Sequence, residues 1–390
     1  MFYRVSQSPK FLSPEAQALL NEVFAPELQA AELNLQLRKQ GYPPETIVEV
    51  VNQVSLRQKA LPRLGELANR LLFTKPGLEQ ATRIEVARYH AKRLGTSSSV
   101  TDLGCGIGID SIAFAEASLA VVAVEAEDET AKFARHNLSG FSGASVQVGL
   151  AEQFEIQTES VYLDPARRDL SASGSSRKML RPEDFSPSID FAFELLSKFP
   201  GGVKLSPAFP HELIDPRFEA AWVSNKGDLV ELSQWSSDPT RAGQRFAVMV
   251  GEDEASEFSG SEFEAEVVSL SETVYEPDSS LIRSHLIGAF AAEHGLGVLS
   301  SGIAYLTGAA VDSPWLRAYE LVEEIPLNEK VVSSYLAKHG IGVLEIKKRG
   351  VEIEPEKFRK SLKLKGLGAA TLIATKVGGA RKALICRPIR

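Results

Sequence analysis

Between Val100 and Asp110 the chain reads V-T-D-L-G-C-G-I-G-I-D, an apolar run that breaks into glycines at 104, 106 and 108. Ile107, Ile109, Ile112, Ala113 and Ala115 then follow with helical spacing. This pattern predicts a buried strand that turns tightly into a helix, the glycines letting the backbone bend and come close to a ligand. Such a turn is a cradle for a nucleotide-type molecule. A dinucleotide site would want G-x-G-x-x-G; here the third glycine comes one residue early, and Ile109 fills the dinucleotide position.

Charge separates the ligands further. Asp102 stands at the mouth of the expected turn, where a carboxylate would repel a pyrophosphate and suit a cation. Downstream, Val121 to Val124 form a second apolar strand ending in Glu125, placed to accept hydrogen bonds from two ribose hydroxyls. An adenosine bracketed by two acids, with a sulfonium and an ammonium and no phosphate, describes S-adenosylmethionine.

On these residues, Asp102 to Gly108 resembles the first motif of class I S-adenosylmethionine-dependent methyltransferases, and Glu125 the acid that follows it. Leu163-Asp164-Pro165-Ala166-Arg167-Arg168 extends the resemblance to a bacterial family of such enzymes with a C-terminal THUMP-like domain. The resemblance implies a Rossmann-like α/β sheet preceded by a helical region and followed by a small α+β domain. It divides the chain into residues 1–78, 79–256 and 257–390. It also implies a cofactor wall of Asp102, Gly104, Cys105, Gly106, Gly108 and Glu125, with Gln80 and Thr82 as candidates for the methionine end. The third strand of the family usually ends in an acid for the adenine amine. Here the corresponding Val148-Gly149-Leu150-Ala151-Glu152 offers backbone groups or Glu152.

A chain of 390 residues with 44% apolar content can bury two or three cores. No run of eighteen apolar residues appears, and the first ten residues lack a signal-peptide core, so the expected location is cytoplasmic, with no membrane partner. Cys105 and Cys386 are the only cysteines, too few for a disulfide scaffold or a cysteine zinc site, and no metal is expected. Cys105 reads as a small filler with no histidine beside it in sequence. The net charge of −8 argues against wholesale nucleic-acid binding, but from Glu345 onward 13 Lys and Arg stand against 4 Glu, so a polyanion would meet the C-terminal end first. A solvated basic face is the plainer alternative.

Residues up to about 78 read as helices broken by prolines, with Leu56 to Phe73 the longest amphipathic segment and Arg57, Lys59, Arg63 and Arg70 on its wet side. A helix is predicted over Arg83 to Leu94, in which His90 reads as packed or surface rather than as a base. Strands are predicted at Val100–Leu103, Val121–Glu125, Ser145–Val148, Ser160–Leu163 and Gly202–Leu205, with helices at Asp128–Leu138 and Glu183–Phe199. Antiparallel strands are expected around Trp222, Asp228–Trp235 and Arg245–Val250, then an acidic linker over Glu252–Glu266. The C-terminal part reads as a helical stretch over Ser279–His294, a strand at Gly342–Lys348, a helix at Pro355–Leu364 and a hairpin turning at Gly378-Gly379.

Asp164 is expected to end the fourth strand, where the transferable methyl should point. In amine methyltransferases the corresponding [DN]-P-P-[YFW] motif holds the amine and stacks the base; this chain keeps Asp164 and Pro165 as the catalytic pair but has Ala166 and Arg167 where the rest would be. Arg167 and Arg168 with the nearby Arg177, Lys178 and Arg181, and Lys204 at the end of the fifth strand, favour an anionic substrate, RNA first. Asp164 could alternatively pair with Arg167 or Arg168 as a structural ion pair. A methyltransferase for a protein or a small anionic metabolite, or a non-catalytic cofactor-sensing RNA-binding module, are the competing readings.

Overall fold

The computed structural model describes residues 10–23, 29–167 and 185–389, which fall into two compact units. The first holds residues 1–219 and 232–243, the second 220–231 and 244–390.

The first unit opens with helices α1 (Pro14–Val23), α2 (Ala30–Lys39) and α3 (Pro44–Leu64). The segments expected as separate short helices are one helix in α3, because Pro44 sits at its first turn, where no amide partner is lost, and the next proline, Pro62, lies in its last turn. Arg57, expected on the wet side, is instead buried and donates to the Leu71 carbonyl at 3.0 Å. Helices α4 (Lys75–Gln80) and α5 (Ile84–Arg93) lead into β1 (Ser99–Leu103), α6 (Ile109–Glu116), β2 (Ala120–Glu125), α7 (Asp128–Leu138), β3 (Ala144–Val148) and β4 (Ser160–Leu163). The short pair β5 (Ala166–Arg167) and β6 (Phe185–Ser186) is antiparallel. Then come α8 (Ile189–Leu196), shorter than the expected helix because Ser188 caps it at Phe191 N, and β7 (Gly201–Leu205).

β8 (Glu219–Asn225) and β9 (Asp228–Trp235) form a hairpin whose two-residue turn, Lys226-Gly227, has positive φ at both positions, as tight hairpins require. Strands β3, β2, β1, β4 and β7 run parallel in that order, and β9 lies antiparallel to β7. Every residue of β4 is buried, the mark of a central strand covered on both faces.

In the second unit β10 (Arg245–Val250) runs parallel to β8, not antiparallel as expected. Its antiparallel partner is β11 (Ala255–Ser259), which lies inside the segment expected to be a linker. An edge strand needs pairing on one side only, so the acidic, exposed residues of β11 do not prevent it from forming. The rest of this unit comprises β12 (Thr273–Pro277), α9 (Ser279–Arg283), α10 (Ile287–Glu293), β13 (Leu296–Val298), β14 (Leu306–Gly308), β15 (Leu316–Pro326), α11 (Glu329–Lys338), β16 (Ile341–Lys348), α12 (Pro355–Ser361), β17 (Gly368–Val377) and β18 (Ala380–Pro388). Its sheet runs β13-β14-β12-β15-β18-β17-β16, and α11 packs Val332 and Leu336 into a core with Leu344, Leu372 and Ile385. No described helix is long and apolar enough to cross a membrane.

Candidate functional site

The glycine turn follows β1 as expected. Gly104, Gly106 and Gly108 have φ of +84°, +57° and +86°, conformations that a side chain would strain, and Gly108 is the N-cap of α6. The turn is tied to β2: Gly104 N and Cys105 N both donate to the Val124 carbonyl, at 2.9 and 3.1 Å. Gly106 N and Glu127 N donate to the two carboxylate oxygens of Glu125, at 3.0 and 2.9 Å. Behind the turn, the Asn137 amide of α7 donates to the carbonyls of Ile107 and Leu72 and accepts from Leu72 N. A Cβ on Gly77 of α4 would stand 2.7 Å from Ile107 Cγ2, so that short helix lies directly on the turn.

Asp102 is not at an open mouth. It is 1% exposed, and its Oδ2 accepts from Ser111 Oγ of α6 at 2.5 Å. Burial, with the nearby carboxylates of Asp110 and Asp164, pushes its pKa up to about 8. Asp110 is also buried, accepting from Thr82 Oγ1 at 2.6 Å and facing His90 Nδ1 at 2.7 Å. Burial raises Asp110, but the hydrogen bond and charge of His90, with Lys204 and Thr82, outweigh it and hold the group below the usual carboxylate range. His90, fully buried, lies 2.9 Å from Tyr162 Oη. The sheet face under α5 and α6 is therefore rich in carboxylates and would be stabilised by a cation.

Asp164 follows β4 directly, and its carboxylate is held by Lys204 Nζ at 2.6 Å. In the parallel register Leu163 faces Val203, which sets the next residues of the two strands side by side; the expected pairing of Asp164 with Arg167 or Arg168 rests on side chains outside those described. Pro165 is buried. Arg167 lies in β5, with its backbone paired to Phe185. Arg168, Arg177, Lys178 and Arg181 lie outside the described residues.

Among the other expected residues, Gln80 is exposed at the end of α4, and Glu152 is exposed on a single turn after β3. Thr82 is buried and joined to Asp110 and Lys204 rather than to its own backbone. Cys105 is half-buried; burial, then Asp102 and Glu125, push its thiol well above the usual range. Asp110, Ser111 and Tyr162 escaped the sequence reading, while His90, read as packed or surface, is packed. Asp110 stands two residues after Gly108, and that nearness to the glycine motif was the available signal.

The residues fit an adenosine-bearing cation. Among the described residues, leaving aside its two chain neighbours, no atom lies within 4 Å of the place a Gly106 Cβ would take, which leaves that side of the turn open. Glu125, raised by burial despite its backbone hydrogen bonds, keeps acceptor capacity on both oxygens for ribose hydroxyls. On the carboxylate face the charged acid at neutral pH is Asp110, held below the usual carboxylate range, while the raised Asp102 keeps its proton.

The raised Asp102 makes stability depend on pH. Its folded-state value of about 8 lies above the unfolded value of about 3.9, so the folded chain keeps a proton that the unfolded chain sheds in between. Its contribution to stability therefore falls as pH rises through that window and is flat below it. Asp102→Asn keeps an oxygen for Ser111 but has no proton to lose. Its melting temperature should drop less than that of the wild type between pH 5 and 8, and superimposable curves would show a carboxyl ionised throughout.

Comparison with known proteins agrees with this geometry. Residues 316–388 match the family model described as THUMP domain-like. Proteins from two strains of Mycobacterium tuberculosis, each named as an uncharacterised S-adenosylmethionine-dependent methyltransferase, are 29% identical over 365 residues, covering 87% of this chain and 97% of their own. A crystal structure of a candidate methyltransferase from Porphyromonas gingivalis W83 superposes with a TM-score of 0.78 at 23% identity, covering 98% of this chain and all of that one. The chain is thus similar along most of its length to S-adenosylmethionine-dependent methyltransferases, shares its fold with a candidate methyltransferase, and carries a THUMP domain-like match at its C-terminal end.

Proposed function

We propose that this chain transfers a methyl group from S-adenosylmethionine to a base in RNA, in a cytoplasmic setting. The observation that carries the reading is the position of Asp164-Pro165, directly after β4 and beside the glycine turn, where the Asp164 carbonyl lies 3.5 Å from the place a Gly104 Cβ would take. Bound S-adenosylmethionine supplies an electrophilic methyl on a sulfonium. Gly104, Cys105, Gly106 and Gly108 form its cradle, Glu125 takes the ribose, and the face containing Asp102, Asp110 and Thr82 lies at its positive end, Asp110 carrying the charge, with Gln80 at the rim. Displacement at that methyl needs little covalent help, so the protein's part is to orient the acceptor and manage its proton. Asp164 and the backbone at Pro165 fill that role, and Arg167 and Arg168 contact the nucleotide.

RNA as the substrate is supported by the THUMP domain-like match and by the basic C-terminal segment. The test uses tritiated S-adenosylmethionine and total RNA from a strain lacking the gene. Wild type should label it. Exchanging the exposed Arg359, Lys360, Lys363 and Lys365 for Gln should lower labelling, more steeply as salt rises, while S-adenosylhomocysteine binding stays unchanged. Label entering protein or small molecules of the extract and not RNA would favour the second reading, a protein or metabolite acceptor.

A further inference from the structure

We propose that Lys204 is a positioning residue that acts on the methyl acceptor through Asp164, as the member of a hydrogen-bonded circuit that joins Asp164 to the buried groups behind it. This rests on the reading of Asp164 as the acceptor-facing carboxylate and goes beyond it by naming what fixes that carboxylate. Lys204 Nζ lies 2.6 Å from Asp164 Oδ2 and donates to Thr82 Oγ1 at 3.1 Å. Thr82 then donates to Asp110 Oδ2 at 2.6 Å, Asp110 Oδ1 faces His90 Nδ1 at 2.7 Å, and His90 Nδ1 lies 2.9 Å from Tyr162 Oη. Tyr162 lies in β4 and Asp164 directly follows that strand, so the circuit begins and ends within three residues of chain.

The members come from separate elements: β7 for Lys204, the segment after α4 for Thr82, α6 for Asp110, α5 for His90 and β4 for Tyr162. Each is buried or nearly so, the Lys204 side chain being 15% exposed. Trp235 of β9 covers the circuit, its ring 5.9 Å from His90 and 6.1 Å from Tyr162, and it can lie there because its partner in the register, Gly202, has no side chain. Asp164 is the contrasting partner of Lys204, its side chain 35% exposed.

Two consequences follow from elementary electrostatics. A buried ammonium at hydrogen-bond distance favours the ionised carboxylate, the form that can accept a proton from an amine or ring nitrogen. The groups opposing it on this face are Asp102 from β1 and Asp110 from α6, and Lys204 lies close enough to lower both. A second anchor at Thr82 keeps the ammonium from following Asp164 when the acceptor binds. The carboxylate is thereby held in one position, which oriented displacement requires.

Lys204→Met removes the charge and keeps most of the volume; Lys204→Arg keeps the charge. With tritiated S-adenosylmethionine and total RNA from the deletion strain, Lys204→Met should transfer ~10- to 100-fold more slowly at saturating cofactor. The acid limb of its pH–rate profile should lie ~1–3 pH units higher. Lys204→Arg should recover part of the rate. S-adenosylhomocysteine affinity by calorimetry should change by less than about threefold, a shift under ~0.7 kcal/mol. In an Asp164→Ala background, Lys204→Met should cause little further loss. An unmoved pH profile, or a full additional loss in that background, overturns the proposal and makes Lys204 a structural or direct substrate group. If Asp164→Ala alone transfers normally, the underlying reading fails instead, and this proposal with it.

Discussion

Asp164→Ala is expected to cut methyl transfer by ~10²- to 10⁴-fold, the range for a positioned group that handles the acceptor's proton. The carboxylate is one-third exposed and locked to Lys204, so the variant loses an oriented acceptor without emptying the core. S-adenosylhomocysteine should still bind, because the glycine turn hangs from β2 through Val124 and Glu125 and not from Asp164. Single-turnover labelling of RNA from the deletion strain measures the rate, and calorimetry the binding. Equal labelling by variant and wild type would remove Asp164 from the chemistry. Loss of binding and melting temperature together would mark it as structural.

The largest stability effect is expected at Glu219. Its carboxylate is 1% exposed and accepts from Arg93 Nη1 and Nη2 at 2.8 and 2.6 Å, while Arg241 Nη2 and Nε approach it at 2.9 and 2.7 Å. Arg93 also lies over the Trp235 ring at 5.3 Å. Exchanging Glu219 for Ala removes the buried carboxylate that both guanidinium groups share, leaving the exposed Asp238 as an acid that still acts on both. Breaking a buried pair in this way costs ~3–5 kcal/mol. For a unit of this size that corresponds to a fall in melting temperature of roughly 10 °C. Calorimetry at neutral pH measures it, and a fall of only a degree or two would mean that the arginines find other partners or reach solvent. Glu219→Gln should lose less, since it keeps the shape and one acceptor.

How far the sequence foretold this protein depends on the range of the interactions involved. Strand β1, the glycine turn and α6 were legible because apolar periodicity and left-handed glycines act locally. β4 and α7 appear with the expected bounds for the same reason. Segment 252–266 was misread as a linker because its pairing with β10 is not written in its own composition. Asp102 was expected to face the ligand because a strand end looks open until Ser111, nine residues on, folds over it. The His90–Asp110–Thr82–Lys204 circuit was illegible for a related reason: its members lie up to 122 residues apart, and only the packing of α5 and α6 on β4 and β7 brings them together.

A single carboxamide gives the amino-terminal helices a part in the chemistry. Asn137 reads the peptide groups of Leu72 and Ile107 at once, so what precedes residue 79 is clamped to the loop that must receive the donor. A shortened protein beginning at the sheet would strip two bonds from that side chain, those to Leu72, and leave its bond to Ile107 without that outer brace. Any minimal version of the enzyme therefore has to keep its leading helices.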